Sequence, residues 1–307
     1  MLNACNMKAI RDSELQEWSS EAIDTLQSVL LKQKDWVKVH AAEFLIASGN
    51  EEEVKEVFLQ ELKHHGHRSQ YRIGIWRVLT RLSSGEEAKR YVKEIVDAFL
   101  DVEGKDRIHA IETMAKLELS PLPDHPRETR IALTSEEKSL AAYTHWAIAY
   151  TNSDSLNSAQ QYFLEKLLNE REERGQRQIA AYILRHSGNL NEPEWKMLYD
   201  IILSLPSDYQ NISGFWSTAL LCAPDSIRDS QEYKIMWEAF LSSDSERNKR
   251  SRMDIASVLA VEGDERHLPL LLKWMRFKDG VIENEEEDAD VRASAAFAVL
   301  KITERAL

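Results

Sequence analysis

The residues of this chain best suited to chemistry are histidines, carboxylates, arginines and aromatics recurring three or four positions apart. His40-Ala41-Ala42-Glu43 and His109-Ala110-Ile111-Glu112 repeat one element, an imidazole and a carboxylate at i and i+3, within contact range on a helix. Equivalent positions elsewhere hold Gly74, Arg77 and Arg81, then Lys116, then Tyr143, Trp146 and Tyr150, then Tyr182 and His186, and in a final copy Ser294, Phe297 and Lys301. If the helices stack side by side, these positions form one column whose titratable and aromatic groups collect in mid-chain. The candidate binding residues are therefore Arg77, Arg81, His109, Glu112, Trp146, Tyr150, Tyr182 and His186. Two His/Glu pairs could in principle make a metal site, but they stand two repeats apart, some 20 Å at ~10 Å per packed helix. A ladder of hydrogen bonds and ion pairs between neighbouring helices is the favoured reading, with no metal, no cofactor and no catalytic residue expected.

Other chemistry is missing from the sequence. There is no Gly-rich phosphate loop, no nucleophile elbow and no cysteine with a sequence-local base. Two cysteines, Cys5 and Cys222, cannot build a disulfide framework or a Cys-based zinc site, which fits a reducing compartment and a cytoplasmic setting. Leu2-Asn3-Ala4-Cys5 loosely resembles a lipoprotein attachment box, but four residues before the cysteine form no apolar signal core. A net charge of -13 repels a phosphate backbone, and no stretch clusters Lys and Arg without interleaved acids, so nucleic acid is excluded as a partner. No apolar run approaches the ~18 residues of a membrane span.

The elements that must position the column are helices written at a period of about thirty-five residues. The last copy is the most legible: Asp290-Val291-Arg292-Ala293-Ser294-Ala295-Ala296-Phe297-Ala298-Val299-Leu300, with Val291, Ala295, Ala298 and Ile302 on one face. Val37 to Leu45, Tyr71 to Leu79 and Asp106 to Met114 align with it without a gap. Weaker copies run through Leu140 to Ile148, Gln176 to Leu184, Ser213 to Leu221 and Ser251 to Leu259, which makes eight first helices. Asp35 stands before Val37-Lys38 as Asp290 stands before Val291-Arg292, and both aspartates suit helix starts. Second helices are expected at Glu51 to Leu62, Glu86 to Leu100, Ser158 to Asn169, Pro193 to Leu203, Gln231 to Leu241 and Glu265 to Met275.

The Asp-x-Val-Arg-x-x-Ala-Ala-x-Ala-Leu pattern resembles HEAT repeats, particularly the short type of phycobiliprotein lyases and related bacterial proteins, over nearly the whole chain. TPR arrays share the period but lack an Arg at the second template position. The resemblance implies an all-α, right-handed α/α superhelix of about eight helix pairs, a single solenoid over 1-307, with binding as the usual function. Deoxyhypusine hydroxylase, also HEAT-like, uses adjacent His-Glu dipeptides, and none occurs here.

Departures from the repeat carry further expectations. Pro121, Pro123 and Pro126 stand where the third repeat should place its second helix, so 118-134 is expected to be an irregular insertion. Glu283 to Asp290 reads as a solvated acidic linker whose last aspartate starts the terminal helix. The chain begins with a second helix, Ser20 to Leu31, and stops after a first helix, which predicts exposed apolar residues at the ends (Trp18, Leu26, Phe297 and Ile302) and self-association through them. The functional expectation is a non-catalytic recognition scaffold binding a protein segment or a small polar ligand through the central repeats. The alternative is an enzyme or enzyme accessory on the same scaffold, lyase-type or metal-dependent, with His109, Glu112 and Tyr150 as acid or base.

Overall fold

In the computed structural model of the protein, 77% of the chain is helical and the described residues contain no strand. The structure describes residues 2–206, 212–242, 249–277 and 285–307, with 2–10, 249 and 285–287 described by their backbone alone. The helices are α1 (Leu2–Lys32), α2 (Asp35–Ala47), α3 (Val54–His65), α4 (Tyr71–Arg81), α5 (Gly85–Leu100), α6 (Arg107–Lys116), α7 (Pro126–Leu133), α8 (Lys138–Ala149) and α9 (Ser153–Leu168). They continue as α10 (Arg174–Leu184), α11 (Glu192–Ser204), α12 (Ile212–Leu221), α13 (Asp225–Arg228), α14 (Gln231–Ser242), α15 (Lys249–Glu262), α16 (Leu268–Met275) and α17 (Glu285–Ala306). Every first and second helix read from the periodicity is present. No helix is long and apolar enough to cross a membrane among the described residues.

Alanines do what the pattern asks of them. Ala110, Ala115, Ala147, Ala180 and Ala181 are buried, leaving room for neighbouring backbones to close. The arginine of the template has a second task. Arg107 donates from Nε to the carbonyl of Phe99 at 3.1 Å, and Arg177 does the same to Leu167 at 2.9 Å. Each satisfies a carbonyl that the preceding second helix leaves without an intrahelical partner, and places a cation at the negative end of that helix dipole.

The chain divides into two compact units, Met1–Val57 with Leu241–Leu307, and Phe58–Phe240. In the first, α17 packs against α15, α16, α1 and α2, so the beginning and the end of the chain meet. This corrects the expected ends: Leu26 and Ile302 are buried rather than exposed, and Phe297 stacks on Phe44 with ring centroids 4.7 Å apart. Trp18, on α1, is half-buried. Arg305 in the last turn of α17 donates to the carbonyls of Ala260 at 2.7 Å and Gly263 at 2.9 Å, closing the end of α15 as Arg107 and Arg177 close theirs.

One local expectation changes here and one holds. Residues from Glu285 are already helical, so Asp290 lies inside α17 and not at its start. Asp35 is the first helical residue of α2, behind an N-cap at Lys34 that makes no side-chain cap bond.

In the second unit, α6 packs between α4 and α8, and α10 between α8 and α12, while α5, α7, α9 and α11 cover them. The proline-rich segment is shorter than the sequence predicts. Pro126 begins α7, where its missing N–H costs nothing and its fixed φ suits a first turn; Thr129 and Ala132 are buried. The irregular residues are those between α6 and Pro126 and the short link from Thr134 to Glu137.

Candidate functional site

Four consecutive first helices of the second unit build the site: α4 brings Arg77 and Arg81, α6 His109, Glu112 and Lys116, α8 Tyr143 and Trp146 with Tyr150 at its C-cap, and α10 Tyr182 with Arg185 and His186 just past its end. The ammonium of Lys116 pairs with the Glu112 carboxylate at 2.8 Å, one turn away. The same ammonium lies 5.5 Å from the Tyr182 ring centroid, and the Arg185 guanidinium lies at the same distance from it. Arg81 donates from Nη2 to the backbone oxygen of Lys116 at 3.3 Å. The rings interlock: Trp146 meets Tyr182 edge-on at 5.9 Å and stacks on His186 at 5.5 Å, while its indole N–H donates to the Tyr150 hydroxyl at 3.3 Å. Arg77 is fully buried and donates to the Thr113 hydroxyl at 3.2 Å.

Burial and charge set the protonation of these groups. His186 is exposed, yet loss of water around it, helped by Arg185 and Lys116, pushes its pKa down to about 4. Burial opposes ionisation of Glu112, but Lys116 and Arg77 more than offset it, holding the carboxyl below its ordinary range. Burial lowers His109, with Glu112 and Asp106 pulling the other way. Burial raises the Tyr143 and Tyr150 hydroxyls, with nearby Glu112 and Glu118 respectively adding to the rise. The cluster thus carries a neutral imidazole, neutral phenols and the Glu112–Lys116 ion pair.

The column read from the sequence is brought together from α4 to α10, with two changes of role. Arg77 and Trp146 are buried too deeply to touch a ligand, so they hold the groups that can: Glu112, Tyr150, Tyr182 and His186. Arg185, absent from the sequence-based candidates, belongs to the site; its signal is its place three residues after Tyr182, one turn along α10. His40 and Glu43 belong to the other unit, where His40 bonds Asp290.

That other unit holds a cleft of about 630 Å³ lined by α1 and the end of α16. Its lining carries Lys32, Arg276 and Arg292 of α17 beside Glu21 and Asp24, and Arg276 pairs with Glu21 at 2.6 Å. Among the described residues, no group of three or more His, Cys, Asp or Glu is placed to hold a metal ion. Comparison with models of known families, with curated proteins and with solved structures gave no match.

Proposed function

We propose that the protein is a non-catalytic recognition scaffold, a HEAT-like right-handed stack of about eight helix pairs whose second unit holds a protein segment or polar ligand against the α4 to α10 column. One observation carries this reading. Arg81, Glu112, Lys116, Tyr182, Arg185 and His186, from three neighbouring helices and the turn after α10, form one connected network in which Arg81 and His186 are exposed.

An enzyme on the same scaffold has less support. Acid–base catalysis works best with a pKa near the operating pH. The three acid or base candidates move away from it: His109 and Glu112 downward, Tyr150 upward. Fixed protonation states suit recognition, where the same hydrogen bonds must be offered at every moment. A cytoplasmic setting is supported by the scarcity of cysteine and by the burial of the Cys222 thiol, whose pKa is pushed up to about 12.

Selection of displayed random peptides on the full chain tests the reading. Enriched peptides should lose binding to a Tyr182→Ala, His186→Ala variant whose helical circular-dichroism signal is unchanged. Peptides that bind variant and parent equally place the site elsewhere. Replacing Arg77 or Trp146 is the wrong test, because both are structural.

A further inference from the structure

We infer that the cleft of the first unit is a binding site for a free peptide of about four residues, its ammonium end beside Asp24 and its carboxylate end beside Lys32. This site shares no residue with the α4 to α10 column, and neither proposal rests on the other. At about 630 Å³ the cleft has the size of a small-molecule site. Its residues come from α1 and Gln33, from the end of α16 with Phe277, and from Arg292 of α17.

The wall formed by α1 is ordered by charge. Glu21 and Asp24 stand toward one end, the hydroxyls of Thr25 and Ser28 come next, and Lys32, the last residue of the helix, stands at the other. Glu21 is already answered, since Arg276 donates to its two carboxylate oxygens at 2.7 and 2.6 Å. The remaining charges of the lining are Asp24, Lys32 and Arg292, and none of the three has an ion-pair partner among the described residues. Acid and base set apart along one helix cannot neutralise each other, and a ligand of single charge answers one pole alone. A ligand with opposite charges at its two ends answers both.

Helix geometry sets the length of that ligand. Lys32 follows Asp24 by eight positions on α1, a rise of ~12 Å at ~1.5 Å per residue. An extended chain covers ~3.3 Å per residue, so about four residues carry an amino terminus to one pole and a carboxylate to the other. Between the poles the lining suits a peptide. Ser28, Gln33 and the half-buried Arg292 carry groups able to bond backbone amides, while Val29, Met275 and Phe277 offer apolar contact to side chains. The backbone of a segment within a longer chain has no charged ends, so it would leave Asp24 and Lys32 unanswered.

Isothermal titration calorimetry on the full chain tests the inference with a tetrapeptide alternating Leu and Ala, supplied free, N-acetylated, C-amidated or blocked at both ends. The free form should bind at least ~10-fold tighter than either singly blocked form. Asp24→Asn should remove the preference for a free ammonium and keep that for a free carboxylate, and Lys32→Gln should do the reverse. Both residues are exposed, so neither variant endangers the fold, and an unchanged helical circular-dichroism signal checks this. The dipeptide Leu-Ala, too short to reach both poles, should bind ~10-fold more weakly than the free tetrapeptide. The Tyr182→Ala, His186→Ala variant should bind the tetrapeptide as the parent does; a loss there moves the peptide to the column and overturns the cleft site. Equal binding of the doubly blocked form overturns it in favour of a segment of a longer chain. Preferences unchanged in both Asp24→Asn and Lys32→Gln, or no binding of the free form, overturn it outright.

Discussion

His40 donates from Nδ1 to the Asp290 carboxylate across 2.9 Å, joining α2 near the beginning of the chain to α17 at its end. Both side chains keep some contact with water, the histidine more than the aspartate. His40→Ala should therefore lower stability by only ~0.5–1 kcal/mol, the range for a partly exposed charge-assisted bond. Urea titrations of the single and double variants with Asp290→Asn should give non-additive losses; full additivity would mean the two groups do not interact in solution.

Arg107 and Arg177 should matter more. Each is buried, and each donates to the last turn of the helix before it. Replacement by Met keeps the apolar stem but removes the donor, so each variant should lose ~1.5–3 kcal/mol, the scale of a hydrogen bond to a charged group. Chemical denaturation measures this directly. A loss no larger than that of an exposed arginine such as Arg171 would show that water takes over the carbonyl.

Acid should weaken the protein in two stages. His109, His145 and His186 all have folded pKa values below the ordinary 6.5, chiefly through burial. The unfolded chain therefore binds more protons than the folded one from about 6.5 downward, and stability falls with pH through that window. Glu112, Glu21 and Glu172, whose carboxyls are held low by cations, add their loss only below the ordinary carboxylate range. Melting temperatures between pH 7 and pH 5 should fall in the parent and fall less in a His109→Gln, His186→Gln variant. A parallel decline would assign the acid sensitivity to other groups.

Gly263 allows the close meeting of α15 and α17. A Cβ there would stand 2.4 Å from the Leu259 carbonyl oxygen and 2.9 Å from Ile302 Cδ1, and the first of these atoms belongs to the backbone. Gly263→Ala should cost ~1–3 kcal/mol by overpacking, read as a fall in the denaturation midpoint without a change in slope. An unchanged midpoint would mean the end of α15 yields freely.

Much of this was legible in the sequence because helices report themselves locally. Alternation of small and apolar residues at three and four positions placed α2, α4, α6 and α17, and Gly49 and Gly188 marked the turns that follow α2 and α10 with positive φ. The same periodicity brought Arg81, Glu112, Tyr182 and His186 to one side, since equivalent positions on stacked helices are neighbours. Depth was not legible. Nothing in the spacing separates Trp146, sealed under His186, from Tyr182 beside it, because burial depends on which helix lies across. Helix α7 was hidden by reading Pro126 as a breaker when it is an initiator. The burial of Leu26 and Ile302 could not be read at all, since it depends on helices more than two hundred residues apart.

That last pairing gives the chain an order of assembly. All residues of the second unit are contiguous, so its helices can settle as soon as they leave the ribosome, whereas α1 cannot meet α17 until α17 has been made. At ~5–20 residues per second, the apolar face bearing Leu15, Leu26 and Leu30 waits on the order of ten seconds or more for that partner. During that interval the nascent amino-terminal helix is the segment a chaperone would be expected to hold. A premature stop anywhere before Glu285 would leave that wait without an end.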